Sequence, residues 1–414
     1  MRISFFGHFG TPNFGNEATL LAIVSRLRLR FPNSELCCIC TFPENVAATL
    51  GIEAVPHTVR SVRIWDRQVP LGRRVRLAFH GLTEEPREYL RAWKTLRATD
   101  VFVVPGTGLL TDAFPLAGWG PYGVFKWSLA ARLRGCKVMF VSVGAGPVRG
   151  TPGRFLVRTA LSFAHYRSYR DRASKKVVES TRLRTGDDPI YPDLVFGLSP
   201  DVDPTPADSE RRAVVGLGLM EYAGRYSVAS PLAETYDRYL ESLAIFVSWL
   251  LEHEYDVRLL LGDGDTMVLG AFEHALRNRL APDTAERVTY RAADSVDDLL
   301  SHISETDLVV ATRFHNILMG LLLNKPVVAI AFHHKCSSLM SEMGLSDYCH
   351  DINQMNADAL IEQFQALVGN VDAVKQLILE RVEVSKRALD EQYELIFGEL
   401  LGEPHALDAA TAAT

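Results

Sequence analysis

Short apolar runs rich in β-branched residues alternate with longer segments of helical periodicity through most of the chain. Such alternation predicts βα units and parallel sheets. The predicted strands are Ile3–Phe6, Glu35–Thr41, Val101–Pro105, Val138–Val143, Ala213–Leu219, Val257–Leu261, Asp307–Ala311 and Val327–Ala331. The predicted helices between them include Glu17–Arg30, Tyr122–Leu133, Thr235–His253 and Asn316–Leu323. This alternation of strands and helices occurs twice along the chain and predicts two doubly wound α/β domains.

The two repeats are separated by Leu198–Arg212, which carries three prolines and several acidic residues without an apolar period. We predict a Rossmann-like N-terminal domain at 1–200, a linker at 201–212 and a Rossmann-like C-terminal domain at 213–400. Residues 401–414 are expected to be a disordered tail. Two such domains are expected to face a central cleft, because ligands of open α/β sheets bind beyond the carboxyl ends of the strands.

Length and charge narrow the function classes. A chain of 414 residues suits two domains, and a net charge of −6 lacks the basic footprint of a nucleic-acid-binding protein. The most apolar stretches, around 318–323 and 327–332, are interrupted by Asn324, Lys325 and Pro326, so neither reaches the ~20 residues of a spanning helix. No signal-peptide pattern opens the sequence. We expect a cytoplasmic protein without a nucleic-acid partner. The sequence is also compatible with a homo-oligomer.

Two features of composition stand out. The six cysteines have no zinc-site spacing, which predicts reduced and mostly buried thiols. The segment Arg60–Arg97 holds ten Lys or Arg against four Asp or Glu. It is either a solvated surface or a peripheral contact with an anionic membrane face or a lipid-linked acceptor.

Glycine loops follow three of the predicted strands. The first, "GHFGTPNFGNEA", leads into a helix whose N-cap is expected at Asn13 or Asn16. The second contains Gly106 and Gly108, and the third reads "VGAGP". Glycine lets the backbone approach a ligand, and amides at a helix start suit an anion or a sugar hydroxyl, but glycine also serves ordinary tight turns. Three such loops at strand ends favour one ligand site.

An arginine and an aspartate end a short extended run at Arg170 and Asp171. Such a pair is either a structural ion pair or an arginine held by its carboxylate neighbour for a ligand. The planar guanidinium can bind a carboxylate or phosphate in two places.

Basic residues are densest in "DLVVATRFHNILMGLLLNKPVVAIAFHHK", where Arg313 and His315 follow one predicted strand and Lys335 follows the next. A ligand with both a phosphate and a carboxylate needs such a set of cations. The alternatives are a capping or core role for His315, and metal ligation by His315 with His333 and His334.

Two aspartates, Asp263 and Asp265, follow another predicted strand. Either carboxylate can orient an acceptor or act as a base, and a solvated turn accounts for them equally well.

These segments together resemble the polysaccharide pyruvyl transferase family. The loop "HFGTPNFGNEA", "PGTG" with a downstream Asp112, "VSVGAGP", "RDRAS", "PDLVF" and the histidine-rich segment occur in that family's order, over about residues 3 to 345. The resemblance implies a GT-B-like fold, phosphoenolpyruvate as donor, and a cell-surface glycan or its lipid-linked precursor as acceptor.

The resemblance also implies roles for single residues. Arg170, Arg313, His315 and Lys335 match the residues that surround the donor, which places the donor site largely in the C-terminal domain. Where the family has Gly-Asp-Glu, this chain has Asn16 before Glu17, and its Asp-Pro-x-Phe motif lacks the proline.

The expected reaction is transfer of pyruvyl as a ketal. His315 is the expected general acid, because imidazole releases a proton near neutral pH. Arg170, Arg313 and Lys335 are expected to bind the donor, and Asp263 or Glu17 to assist the hydroxyl. This scheme needs no metal or organic cofactor. The alternatives are a GT-B nucleotide-sugar glycosyltransferase or epimerase, and an inactive family member acting as a binding subunit.

Overall fold

The computed structural model describes residues 1–58, 84–112, 120–200, 202, 211–221, 231–262, 266–277, 279–280 and 282–400. The chain forms two compact units. The first comprises Met1–Thr11, Asn16–Leu198 and the residues from Ala388 on; the second comprises Pro12–Gly15 and Ser199–Arg387.

The first unit is built on a six-stranded parallel sheet in the order β3-β2-β1-β4-β5-β6. Its central strands are apolar and buried along most of their length, as expected of parallel strands covered on both faces. The strands are β1 Arg2–Phe6, β2 Glu35–Cys40, β3 Glu53–Pro56, β4 Val101–Pro105, β5 Lys137–Val143 and β6 Tyr166–Tyr169.

Helices connect these strands and cover the sheet. They are α1 Phe14–Arg30, α2 Pro43–Leu50, α3 84–95, α4 Pro121–Leu133, α5 Thr151–Ser162 and α6 Arg172–Glu179. Helix α4 starts with Pro121 at its first position, where a missing N–H is tolerated. Its fully buried Trp127 packs against Phe6 of β1, with ring centroids 6.1 Å apart.

The second unit repeats this plan with a sheet in the order β12-β11-β10-β7-β8-β9. Its strands are β7 Val214–Gly218, β8 Asp256–Leu259, β9 Val288–Tyr290, β10 Leu308–Ala311, β11 Val327–Ala331 and β12 Cys349–Asp351. Its helices are α7 Pro231–Glu252, α8 Thr266–Leu276, α9 Pro282–Ala285, α10 Val296–Ser304, α11 Phe314–Leu322, α12 His334–Glu342, α13 Ala357–Gly369 and α14 Val371–Leu395. The last of these runs on into the first unit.

Both sheets have the strand order of the Rossmann fold, which confirms the prediction of two doubly wound α/β domains. In such a sheet the order reverses between two neighbouring strands, and ligands bind beyond their carboxyl ends. The reversal lies between β1 and β4 in the first unit and between β7 and β10 in the second.

Four edge strands, β3, β6, β9 and β12, were missing from the predicted strands, although β6 coincides with the short extended run that Arg170 and Asp171 end. Each has only three or four residues, and those of β3, β9 and β12 are mostly partly or fully exposed. An edge strand with one solvated side lacks the continuous apolar run that identifies a central strand. Helices α1 and α11 also begin earlier than predicted, at Phe14 and Phe314.

The end of α14 corrects the predicted extent of the C-terminal domain, which was drawn to residue 400. Gln392 is fully buried in the first unit, where its amide nitrogen donates to Ser168 Oγ at 2.7 Å and Tyr166 Oη at 3.2 Å. Ser142 donates to its amide oxygen at 3.1 Å. These hydrogen bonds join residues more than 220 positions apart, a link that local patterning does not reveal.

The first part of the basic segment Arg60–Arg97, residues 60–83, lies outside the described residues. In its described part, Arg91 donates to the carbonyls of Pro56 and His57 and pairs with Glu88 at 3.0 Å. Its guanidinium also lies 5.7 Å from the centroid of the Trp127 ring. Arg91 therefore serves the fold of the first unit.

Within the described residues, no helix is long and apolar enough to cross a membrane. All six cysteines are free, five of them buried and Cys349 half-buried, as the spacing predicted.

Candidate active site

A cavity of about 100 Å³ lies at the strand reversal of the second unit. It contains three of the four residues predicted to surround the donor, Arg313, His315 and Lys335. Asn13 of the first glycine loop also lines it. The other lining residues are Phe14, Gly15, Met220, Gly262, Leu299, Phe314, Asn316 and Phe332. Among these described residues none is an aspartate or glutamate, so the lining carries positive charge.

Two helices begin beside the cavity. Helix α11 starts directly after β10 and α12 directly after β11, so the N–H groups of both first turns lie at this edge of the sheet. The residue preceding α11 is Arg313, whose side chain has no acceptor and does not cap the helix. Helix N-termini together with an arginine and a lysine suit a ligand bearing more than one negative charge.

Buried hydrogen bonds fix the start of α11. The Thr312 hydroxyl lies 3.0 Å from the Tyr239 hydroxyl, which accepts from the Met220 amide at 3.3 Å. Asn316 Nδ2 donates to the Leu260 carbonyl at 3.1 Å. All of these groups are buried, so Arg313 and His315 project from a rigid helix start.

His315 lies directly against the backbone of Gly15. A Cβ atom added to Gly15 would meet Cε1 and Nδ1 of the imidazole at 1.9 Å. The Phe314 ring stands edge-on to the imidazole, with centroids 5.1 Å apart. Gly15 is therefore needed for close packing and not for a special backbone angle.

We expect Gly15→Ala to lower turnover by about 10²-fold, because the new methyl group must displace the imidazole and small misplacements cost that much. Gly270→Ala is the control, since a Cβ there meets nothing within 4 Å. The measurement is turnover at saturating substrate together with the melting temperature. The explanation fails if Gly15→Ala keeps the turnover of Gly270→Ala.

Lys335 lies between two aromatic rings. Its ammonium is 5.2 Å from the centroid of Phe314 and 5.3 Å from that of Phe332. The negative faces of aromatic rings attract a cation, so the two rings hold the ammonium in place. An ammonium held in this way suits anion binding. The sequence contains both phenylalanines beside the basic residues, but their part in holding Lys335 was not predicted.

The model of the family described as polysaccharide pyruvyl transferase matches residues 13–334, most of the chain. The chain belongs to this family. The matched range includes Arg170, Arg313 and His315 and ends one residue before Lys335.

The chain is also similar to individual known proteins. The amylovoran biosynthesis protein AmsJ of Erwinia amylovora is 20% identical over 409 residues, covering 92% of this chain and 96% of the relative. A glycosyltransferase from Rickettsia africae has a TM-score of 0.59 at 11% identity, covering 96% and 99% of the two chains. The UDP-GlcNAc 2-epimerase of Neisseria meningitidis, bound to UDP-GlcNAc, has a TM-score of 0.55 at 12% identity, covering 94% and 100%. Structural likeness at such identity shows the fold, two Rossmann-like domains of the GT-B type.

Arg170, the fourth predicted donor residue, belongs to the first unit. Its Nη1 lies 3.2 Å from Asp193 Oδ2 and its Nε 3.4 Å from Asp171 Oδ2. Its guanidinium lies over Gly144, where an added Cβ would come within 2.8 Å. Asp171 also caps α6, accepting from Ser174 N at 2.6 Å, so this helix begins at Arg172. The arginine is thus held by two carboxylates, of which only Asp171 was predicted.

Asp193 is the second partner of Arg170. Burial raises the pKa of this carboxyl group, while the Arg170 charge and the Val195 amide act in the opposite direction. Asp193 also caps the 3₁₀ turn Leu194–Gly197, where Leu194 stands in place of the family's proline. The first position of a helical turn accepts either residue, so the missing proline leaves the turn intact.

The second departure from the family's motifs, Asn16 in place of an aspartate, also has a structural explanation. The side-chain amide of Asn16 donates to the His8 carbonyl at 3.1 Å, which an aspartate could not do. Because α1 begins at Phe14, Asn13 and not Asn16 stands directly before the helix.

Glu17 follows this loop in the first unit. Burial raises its pKa from 4.5 to about 7, although amides of Thr11 and Gly10 partly offset the shift. A carboxyl group that titrates near neutrality suits general base chemistry.

We expect Glu17→Gln to stabilise the protein more at pH 8 than at pH 5. A carboxyl group with a raised pKa binds more protons when folded, so its contribution to stability declines as pH rises from about 4.5 through 7. Glutamine stays neutral throughout and keeps an acceptor for the Thr11 amide. Melting temperatures of the variant and the wild type at both pH values test this. An equal difference at pH 5 and pH 8 would show that burial does not raise this pKa.

The remaining predicted loop residues either do not line this cavity or lie outside the described residues. An added Cβ at Gly106 would come within 2.9 Å of Thr19, whereas Gly108 has open space around it. Asp112 accepts from the amides of Arg149 and Gly150 at 2.6 and 2.7 Å, tying two loops together. Asp263 and Asp265 lie outside the described residues, directly after the cavity-lining Gly262.

No group of three or more His, Cys, Asp or Glu side chains that could hold a metal ion occurs among the described residues. The alternative of metal ligation by His315, His333 and His334 has no support in the described geometry. His333 instead caps α12, accepting from Lys335 N at 3.3 Å.

Proposed function

We propose that the protein transfers a pyruvyl unit from phosphoenolpyruvate to two hydroxyl groups of one sugar, forming a ketal and releasing phosphate. The observation that supports it is the cavity that brings Arg313, His315 and Lys335 together at the starts of two helices. Its volume of about 100 Å³ is below the roughly 300–1,000 Å³ of typical small-molecule sites, which favours a compact anion over a nucleotide sugar.

The reaction needs proton transfer and two additions at one carbon. The donor's methylene carbon gains a proton, and the first hydroxyl oxygen bonds to C2. The bond between C2 and the phosphate oxygen then breaks, phosphate leaves, and the second hydroxyl closes the ketal. Of the two hydroxyl protons released, one balances the proton taken up by the methyl group and the other leaves with phosphate.

Each residue then has a role. His315 donates the proton, held in place by Gly15 and the rigid start of α11. Lys335 and Arg313 bind the phosphate and the carboxylate, and Arg170 is the further donor-binding residue that the family motif implies. Glu17, with its pKa near 7, accepts a proton from an attacking hydroxyl, and Asp263 is the alternative base. This scheme uses no metal or organic cofactor.

The acceptor in this proposal is a cell-surface polysaccharide or its lipid-linked precursor. The family description and the role of AmsJ in amylovoran biosynthesis support a polysaccharide acceptor.

Ligand-dependent melting distinguishes this proposal from a nucleotide-sugar enzyme of the same fold. At a hundred times its Kd, a ligand stabilises the folded state by about 2.7 kcal/mol. We expect phosphoenolpyruvate to raise the melting temperature and UDP to leave it unchanged. Stabilisation by UDP without stabilisation by phosphoenolpyruvate would favour the nucleotide-sugar enzyme.

A further inference from the structure

A second cavity of about 370 Å³ lies in the second unit, at the carboxyl ends of β11 and β12. Its volume is within the roughly 300–1,000 Å³ of typical small-molecule sites. None of the roles proposed above uses it. Its lining residues are Ala331, Phe332, His333, His334, Ser337, Ser346, Cys349, Asp351 and Asn353.

The lining combines a row of short polar side chains with an aromatic wall. Ser337 and Ser346 supply hydroxyls, Asp351 a carboxylate and Asn353 an amide, while Phe332 supplies an apolar face. A hydroxyl or an amide group can donate to or accept from a sugar hydroxyl, and a carboxylate can accept from one. An aromatic ring offers the flat apolar surface that the C–H face of a pyranose ring covers.

The polar groups at one side are already oriented. Asp351 Oδ1 accepts from the backbone and side-chain nitrogens of Asn353 at 2.9 and 3.0 Å, and the Asn353 carbonyl accepts from Arg238 at 2.9 Å. Among the described residues that line this cavity none is an arginine or lysine and one, Asp351, is a carboxylate, so the cavity lacks the cations of the donor cavity and suits a neutral polyhydroxyl compound.

The second cavity adjoins the donor cavity. Phe332 lines both, and its ring is one of the two that contact the Lys335 ammonium. His333 caps α12, the helix that carries both Lys335 and Ser337. A ring bound in the second cavity would therefore be next to a donor bound in the first.

We propose that the second cavity binds the pyranose ring of the acceptor, presenting its hydroxyl groups toward the donor cavity across Phe332. This inference rests on the proposed function and names the position and chemistry of its acceptor. The ligand is a neutral hexose unit.

Filling the cavity tests the proposal. Ser337 is exposed and lines the cavity, so Ser337→Trp is expected to occlude it without burying a polar group. Ser341 is exposed on the same helix, one turn farther on and outside the lining, so Ser341→Trp is the matched control. Binding of p-nitrophenyl glucoside, galactoside and mannoside is measured by saturation-transfer NMR and calorimetry, without phosphoenolpyruvate.

We expect at least one hexoside to bind the wild type and Ser341→Trp equally and to bind Ser337→Trp at least tenfold more weakly. Asp351→Asn keeps an acceptor for the Asn353 amide and should also weaken binding of that hexoside. Phosphoenolpyruvate should stabilise all four proteins alike.

The proposal is overturned if none of the three hexosides binds the wild type, or if Ser337→Trp binds them as the control does. Hexoside binding is measured without turnover. Hexoside binding with no effect of phosphoenolpyruvate would therefore refute the proposed donor and leave the sugar site standing.

Discussion

Replacing His315 by asparagine or glutamine is expected to reduce turnover by about 10²–10⁴-fold, the usual contribution of a general acid. The donor is an enol phosphate whose methylene carbon must be protonated before C2 accepts a hydroxyl. Imidazole, with an ordinary pKa of about 6.5, can supply that proton at neutral pH, whereas an ammonium near ~10.4 holds it too firmly.

Donor affinity separates catalysis by His315 from binding. Because Arg313 and Lys335 remain, we expect both variants to bind phosphoenolpyruvate nearly as the wild type does. His274→Gln is the control, an exposed histidine on α8. Turnover near the wild-type rate would exclude His315 as the proton donor and make Lys335, His333 or His334 the candidate. Loss of donor affinity instead would make it a binding residue.

The second large effect is expected at the two arginines. Charge-assisted hydrogen bonds contribute about 1.5–3 kcal/mol each, so Arg170→Ala and Arg313→Ala should each weaken phosphoenolpyruvate binding at least tenfold. Arg313→Lys should be intermediate, because an ammonium keeps the charge but loses the planar fork. Calorimetric titration with phosphoenolpyruvate measures the change.

The two arginines should differ in their effect on stability. Arg170 is paired with the buried Asp193, and removing one partner of a buried pair costs about 3–5 kcal/mol. Arg170→Ala should therefore also lower the melting temperature, and adding Asp193→Asn should restore it without restoring donor affinity. Recovery of affinity in the double variant would show that Arg170 acts on the fold alone.

The sequence was sufficient to predict the central strands and the basic residues at their ends. β1, β4, β5, β10 and β11 are buried apolar runs, and a buried run can be recognised locally. Arg313 and Lys335 lie in one cavity because the strands that precede them, β10 and β11, are neighbours in a parallel sheet.

The unpredicted features are contacts between distant parts of the chain. Gly15 and His315 are 300 positions apart, and the glycine has no local sign that an imidazole lies against it. Asp193 stood in a recognised motif, but its pairing with Arg170 depends on how the chain returns after β6. Side-chain partners of this kind follow from the tertiary fold and not from periodicity.

The most direct test of the proposed pyruvyl transfer follows both products in one reaction. Purified protein is incubated with phosphoenolpyruvate and a panel of p-nitrophenyl and lipid-linked sugars, with Gly15→Ala and His315→Gln in parallel. We predict phosphate release matched by an acceptor mass gain of one pyruvate less one water, and loss of both signals in the two variants. Phosphate release without modification of the sugar, or modification that persists in His315→Gln, would contradict the account.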